Sequence, residues 1–373
     1  MERLVLLAGI RQAVELEMWE YAWRLGRAFC SLCHSMRVFW QDWVEVAQIA
    51  HTAASKLGDQ RSLGIALLER ASMAGNHGLR SSAISDAKAA LEIFERLAEP
   101  WWIGRALRTL GMSLRDDGNL DEGQEYLARA IASFETAGDR WWQARTQRNL
   151  AELRLRQYRY EEARNLLEQA QQVFHGAGNR YSEAQTLRVQ GEVLSSEGRD
   201  LLRSGDLQGA QKRFGLAAPA LERAAETFRE RREYWEQARC LRAAGEVGDP
   251  SNGLGELVRA RGAKEILEAL GDTWGVARTL VSEGLALSRL ARVGEAAATL
   301  QEAADAFEAL DDRWLQARSL RTLAEILLDA GRTADARNPA EQAVEIYSSL
   351  GNEAGEQRAR RALDRTQQDQ PPS

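Results

Sequence analysis

Lysine is nearly missing from this chain. Of 49 basic residues only Lys56, Lys88, Lys212 and Lys264 are lysines, so almost all positive charge sits on planar guanidinium forks suited to carboxylates and phosphates. Acidic residues still outnumber basic ones, 55 to 49, giving a formal net charge of −6. That balance argues against direct nucleic-acid binding, whose affinity comes from clustered cations that neutralise phosphates. Cysteine is scarce too, and three of them cannot form a fully paired disulfide framework. The N-terminal apolar run Leu4 to Ala8 is too short for a signal-peptide core or a membrane span. These absences point to a reducing, cytoplasmic compartment and away from membranes. Histidine is limited to His34, His51, His77 and His175, no HExxH or GxSxG occurs, and carboxylates are spread at helical spacing. No catalytic residue, metal site or cofactor is expected, and the chain reads as a non-enzyme.

What is abundant is repetition. Trp101, Trp141, Tyr181, Trp235, Trp274 and Trp314 recur at intervals of 40, 40, 54, 39 and 40 residues, the mark of one unit copied many times. Seven residues before each marker stands an apolar residue (Phe94, Phe134, Phe174, Phe228, Leu267, Phe307). Four residues before that stands an alanine (Ala90, Ala130, Ala170, Ala224, Ala263, Ala303). Ten residues after each marker the side chain is small: Gly111, Ala151, Gly191, Gly245, Gly284, Ala324. Counted backward from Trp101, the period reaches Arg61 and Tyr21.

Punctuation inside the unit is physical. In Gly138-Asp139 the glycine supplies the left-handed residue that ends one helix, and the aspartate caps the amides that begin the next. Gly58-Asp59, Gly178-Asn179, Gly271-Asp272 and Gly351-Asn352 repeat the device. A second break follows at Asp117-Gly118-Asn119, Gly248-Asp249-Pro250 and Gly331-Arg332. Each unit therefore reads helix, turn, helix.

The expected fold is all-α: a right-handed α-solenoid of antiparallel helix hairpins with repeats of about 40 residues. Residues 1–17 form an N-terminal helix, 18–353 an array of about eight hairpins, 354–368 a charged capping helix and 369–373 a disordered tail. The unit at 181–233 is 14 residues longer than its neighbours; its extra sequence keeps helical spacing, so longer helices or an added turn would absorb it.

Leu107, Leu110 and Gly111 in a first helix, with Ala163, Leu167 and Ala170 in a second, resemble the tetratricopeptide consensus of interlocking small and large residues. With the phrases MWEYAWRLGRAF and FWQDWVEVAQIAHTAASKLGD, the longer unit resembles the C-terminal repeat arrays of actinobacterial transcriptional activators of the Streptomyces antibiotic regulatory type. In those a nucleotide-switch ATPase precedes the repeats. The resemblance implies a sensor or autoinhibitory module of a regulator. Nothing matches GxxxxGK[ST] and no helix-turn-helix precedes the repeats, so nucleotide hydrolysis and DNA binding are not implied. The alternative is a free-standing scaffold that assembles other proteins.

Cys30-Ser31-Leu32-Cys33-His34 spells CxxCH, the signature of c-type haem attachment. Register speaks against it. Cys30 falls where other units place Leu110, Leu150 and Leu323, Cys33 where they place Leu153, Val193 and Ile326, and His34 where they place Leu114, Leu194 and Leu327. These are core slots, in which cysteine packs as a small hydrophobe.

The candidate site is an arginine ladder. Four residues after the markers stand Arg105, Arg145, Arg239, Arg278 and Arg318, with Gln185 the exception; three residues further stand Arg108, Arg148, Arg188, Arg242 and Arg321, with Val281 the exception. On the tetratricopeptide alignment both positions face the concave groove, where guanidinium groups would receive a protein or peptide bearing acidic groups. Against this, Arg148–Glu152, Arg188–Glu192, Arg242–Glu246 and Arg321–Glu325 are i,i+4 pairs that can satisfy one another. Arg108 has Met112 there instead. Trp102 and Trp142 precede Arg105 and Arg145 by three residues, within reach of cation–π contact. Residues 101–148 are thus the best ligand patch.

Overall fold

A computed structural model of the chain describes residues 2–36, 39–76 and 79–368, so the expected tail at 369–373 lies outside the described residues. Among those described there are 18 α-helices and no strand. The chain divides into two compact units, residues 1–193 and 194–373. The first holds α1 (Glu2–Glu15), α2 (Trp19–Met36), α3 (Trp40–Leu57), α4 (Gln60–Asn76), α5 (Arg80–Leu97), α6 (Pro100–Asp117), α7 (Leu120–Thr136), α8 (Arg140–Arg156), α9 (Tyr160–Gly176) and the start of α10 (Arg180–Ser204). The second holds the rest of α10, then α11 (Leu207–Glu230), α12 (Tyr234–Gly245), α13 (Gly253–Leu270), α14 (Thr273–Arg289), α15 (Val293–Ala309), α16 (Arg313–Asp329), α17 (Thr333–Ser349) and α18 (Glu353–Gln368). The extra residues of the long repeat are absorbed by longer helices: α10 has 25 residues and α11 has 24.

The helices start and stop where the chain dictates. Gly138 has φ +70° and Gly271 φ +68°, left-handed values that cost glycine little. The next residue caps the following helix. Trp142 N–H donates to Asp139 Oδ1 at 3.0 Å, Gly275 N–H to Asp272 Oδ1 at 2.8 Å, Ser182 N–H to Asn179 Oδ1 at 3.0 Å and Gly355 N–H to Asn352 Oδ1 at 2.8 Å. Each cap is worth about 1 kcal/mol.

Consecutive helices pack as antiparallel hairpins, giving an α-solenoid architecture of tetratricopeptide type. The periodic residues are its core: Phe94, Phe134, Phe174, Phe228 and Phe307 are wholly buried, as are Ala90, Ala130, Ala170, Ala224, Ala263 and Ala303. Each buried phenylalanine contributes roughly 1.5–3 kcal/mol of transfer free energy. The small position is explained by contact within a hairpin: a Cβ on Gly111 would lie 2.8 Å from Leu127 Cγ and 2.9 Å from the Gly123 carbonyl oxygen. Within the first unit α2 touches α4, α4 touches α6 and α6 touches α8; within the second α12 touches α14 and α16 touches α18. The first helices of successive hairpins thus touch in series from α2 to α8 and again at α12–α14, and the first helices from α6 onward carry the arginine ladder.

Candidate functional site

In the first unit the site is built on α6 and α8. Trp101 and Trp102 open α6, Trp141 and Trp142 open α8, and all four are half-buried. Trp102 stacks on Phe94 (5.2 Å, 13°) and Trp142 on Phe134 (5.6 Å, 23°), while Trp101 meets Trp142 edge-on at 5.7 Å. One face of each second tryptophan is therefore spent on the core. The other face of Trp142 takes cations: the Arg105 guanidinium lies 4.4 Å from its ring centroid and that of Arg145 4.7 Å. The three-residue spacing does give cation–π contacts, Arg105 over Trp102 at 5.9 Å among them. The shortest is the one that crosses from one hairpin to the next.

Arg108 and Arg148 are buried, at 8% and 5% exposure. Arg108 Nε donates to Asn149 Oδ1 at 2.8 Å, and Arg148 lies 5.7 Å from the Phe174 ring. Burial pushes the Arg108 guanidinium well below its ordinary range, and repulsion from Arg145, Arg105 and Arg148 adds to the effect. Arg105 is pushed down by burial as well, partly offset by Glu69. Its Nε is buried without a hydrogen-bond partner. Arg188 is buried at 3% and donates to Glu192 at 2.6 Å and Glu152 at 2.9 Å. Glu152 also accepts from Arg115.

The second unit is more self-contained. Arg242 donates to Glu246 Oε1 at 2.7 Å, and the Ser282 hydroxyl donates to the same oxygen. Burial alone would raise the Glu246 carboxyl, but Arg242, the Ser282 hydroxyl, Arg318 and Arg278 outweigh it and hold it at about 2. Arg278 lies 4.8 Å from the Trp274 ring and is pushed well down, by burial first and then by Arg242. Arg239 pairs with Glu236 at 3.4 Å and sits over Trp235 at 4.8 Å; Arg318 sits over Trp314 at 5.8 Å. Arg321 is bonded to Glu325 and lies near enough to Tyr347 for the two to influence each other. The pairs Arg188–Glu192, Arg242–Glu246 and Arg321–Glu325 all form.

One role of the tryptophans was not legible from the repeat alone. Trp101 Nε1 donates to Asp139 Oδ2 at 3.0 Å, Trp235 Nε1 to Asp272 Oδ2 at 2.8 Å and Trp274 Nε1 to Asp312 Oδ2 at 3.0 Å. The aspartate that caps one first helix also receives the indole that opens the previous one. The only sequence signal was the fixed interval between marker and cap.

Cys30 and Cys33 are fully buried among Leu7, Ile10, Phe29 and Trp43. Burial raises both thiols, Cys33 to about 12, so they are core residues rather than nucleophiles or haem anchors. Among the described residues no group of three or more His, Cys, Asp or Glu side chains is placed to hold a metal ion, and no helix is long and apolar enough to cross a membrane.

Known proteins place this geometry in a class. Residues 102–174 and 263–349 match the family of the tetratricopeptide repeat, so the chain carries repeats of that kind. No curated protein matches the sequence. Among solved structures, a Rap protein complexed with competence and sporulation factor superposes with a TM-score of 0.56 at 13% identity, covering 92% of this chain and 98% of that one. The apo quorum sensor NprR from B. thuringiensis gives a TM-score of 0.36 at 12% identity, covering 91% and 97%. A signal-transduction ATPase with a tetratricopeptide repeat sensor from Pyrococcus horikoshii gives 0.44 at 11% identity, covering 87% of this chain and 52% of that one.

Proposed function

We propose that this chain is a protein-interaction or effector-sensing module that receives an acidic peptide or partner against the Arg/Trp-lined layer of first helices, as the sensor or autoinhibitory part of a transcriptional regulator. The observation that carries the binding role is the crowding of Arg105, Arg108 and Arg145 around Trp142, with Arg148 close enough to act on Arg108. Guanidinium groups brought this close repel one another, and an anion between them relieves the repulsion. The Rap structure, in which this fold is complexed with a factor, fits such a role. The regulator context rests on the phrases around Trp23 and Trp43.

A scaffold that senses nothing is the second reading. It is favoured by the internal pairing of Arg188, Arg242 and Arg321, which leaves less charge for a ligand. The two part in one experiment. On an array of acidic, neutral and basic peptides, the protein is expected to retain acidic ones. Arg105→Gln with Arg145→Gln is expected to weaken that retention about tenfold or more, whereas Arg337→Gln, an exposed position on α17, leaves it unchanged. Equal retention of all three peptide classes overturns the acidic-ligand reading.

A further inference from the structure

The arginine seven residues after a marker and the glutamate four residues beyond it go together. Both are present as Arg148/Glu152, Arg188/Glu192, Arg242/Glu246 and Arg321/Glu325, and both are missing where Val281 and Leu285 stand. Only the Trp101 repeat breaks the association, with Arg108 kept and Met112 in the glutamate's place. An arginine retained without its partner, and buried at 8% exposure, is costly unless an anion reaches it from elsewhere.

The second unit shows what such a cluster holds when complete. Arg239, Arg242 and Arg278 occupy the repeat positions of Arg105, Arg108 and Arg145. There the carboxylate of Glu246 takes Arg242 and the Ser282 hydroxyl. In the first unit the residue at the position of Ser282 is Asn149, whose neutral oxygen accepts from Arg108. Arg105 rests on Trp101, Trp102 and Trp142 with its buried Nε unbonded. Glu152 bonds to Arg115 and Arg188 and only its charge reaches Arg108, as that of Glu69 reaches Arg105. Met112 itself packs beside Leu127, Leu150 and Leu153, one turn beyond Arg108. The Trp142 ring lies 4.4 Å from the Arg105 guanidinium and 5.5 Å from that of Arg108, within cation–π reach of both.

We infer that Arg105 and Arg108, with Trp142 beside them, form a seat for one carboxylate of an acidic peptide, in the place where other repeats carry their own glutamate. This rests on the binding role proposed above and names the group that is bound. A carboxylate is favoured over a phosphate because the filled counterpart holds a glutamate and nothing larger.

The test puts the glutamate back. Full-length protein is melted and titrated at fixed ionic strength with hexaglutamate, hexaglutamine and inorganic phosphate. Hexaglutamate is expected to raise the melting temperature of the wild type and of Met112→Gln by a few degrees, and hexaglutamine to leave it unchanged. Met112→Glu is expected to melt higher without peptide and to lose the response. An undiminished response in Met112→Glu overturns the seat, as does no response in the wild type, or a response to phosphate as large as that to hexaglutamate. Should Met112→Glu melt lower than the wild type, Arg108→Gln decides: a retained response overturns the seat and a lost one supports it. Acidic peptides that the array shows bound equally by wild type and Met112→Glu would remove the seat but keep the binding role; no acidic peptide bound at all would remove both.

Discussion

Trp142 shows how a single side chain joins core and surface. Phe134 covers one face and the arginines of two hairpins cover the other. The sequence places Arg145 one turn below it, but Arg105, the nearer cation, comes from the previous repeat, 37 residues away. Periodicity says which residues share a helical face; only the stacking of one hairpin on the next decides which reach each other. Glu152 carries the same lesson. Beyond the spacing that offers it to Arg148, it accepts from Arg115 and Arg188, because an i,i+4 interval does not exclude partners from neighbouring helices. Glu246 is a residue whose charge contributes to stability. Its carboxyl, held at about 2 against an ordinary 4.5, contributes stability that is present above about pH 4.5 and lost as the pH falls toward 2. Glu246→Gln is expected to lower stability by about 2 kcal/mol at pH 7. Urea melts at falling pH should show the gap between variant and wild type closing across that range; a constant gap would refute the assignment.

At the scale of the element, the hairpin was legible almost throughout. Capping pairs such as Gly138-Asp139, the buried phenylalanines and the small position ten residues after each marker all stand where the repeat puts them. Local backbone chemistry and burial set these, and both are written into residue type. Less legible was the reason Gly111 is a glycine when Ala151 and Ala324 serve elsewhere. Its Cβ would meet both Leu127 and the backbone oxygen of Gly123, itself a glycine, on which an added Cβ would lie 3.0 Å from the Gly111 carbonyl oxygen. Two glycines facing each other let α6 and α7 approach closely. Gly111→Ala is therefore expected to cost roughly 1–3 kcal/mol despite the gain in helix propensity, measurable as a drop in the urea midpoint. A neutral or stabilising outcome would mean the pair has slack.

At the scale of the molecule, the hairpins of each unit pack on their neighbours in chain order, so stability is approximately a sum of repeats and their interfaces. Helix α18 covers one side of the α16–α17 hairpin: Ala359 packs with Ala343, Ile346 and Tyr347. Deleting residues 353–368 uncovers those side chains, roughly 4 kcal/mol of transfer free energy. A lower melting temperature and concentration-dependent light scattering are expected, and a truncated chain that stays monodisperse with an unchanged melt would contradict this account.

The bond from an opening indole to the next cap also works as a ruler. Trp101 to Asp139, Trp235 to Asp272 and Trp274 to Asp312 span 38, 37 and 38 residues, so a hairpin closed by such a bond tolerates no change of length without losing a contact at its far end. Of the six markers from Trp101 onward only Tyr181 is not a tryptophan, and it opens the repeat that is 14 residues longer than the rest. The indoles thereby partition the chain into stretches of fixed gauge and one stretch free to grow, which makes α10 and α11 the place to graft new sequence without disturbing the phase of the array.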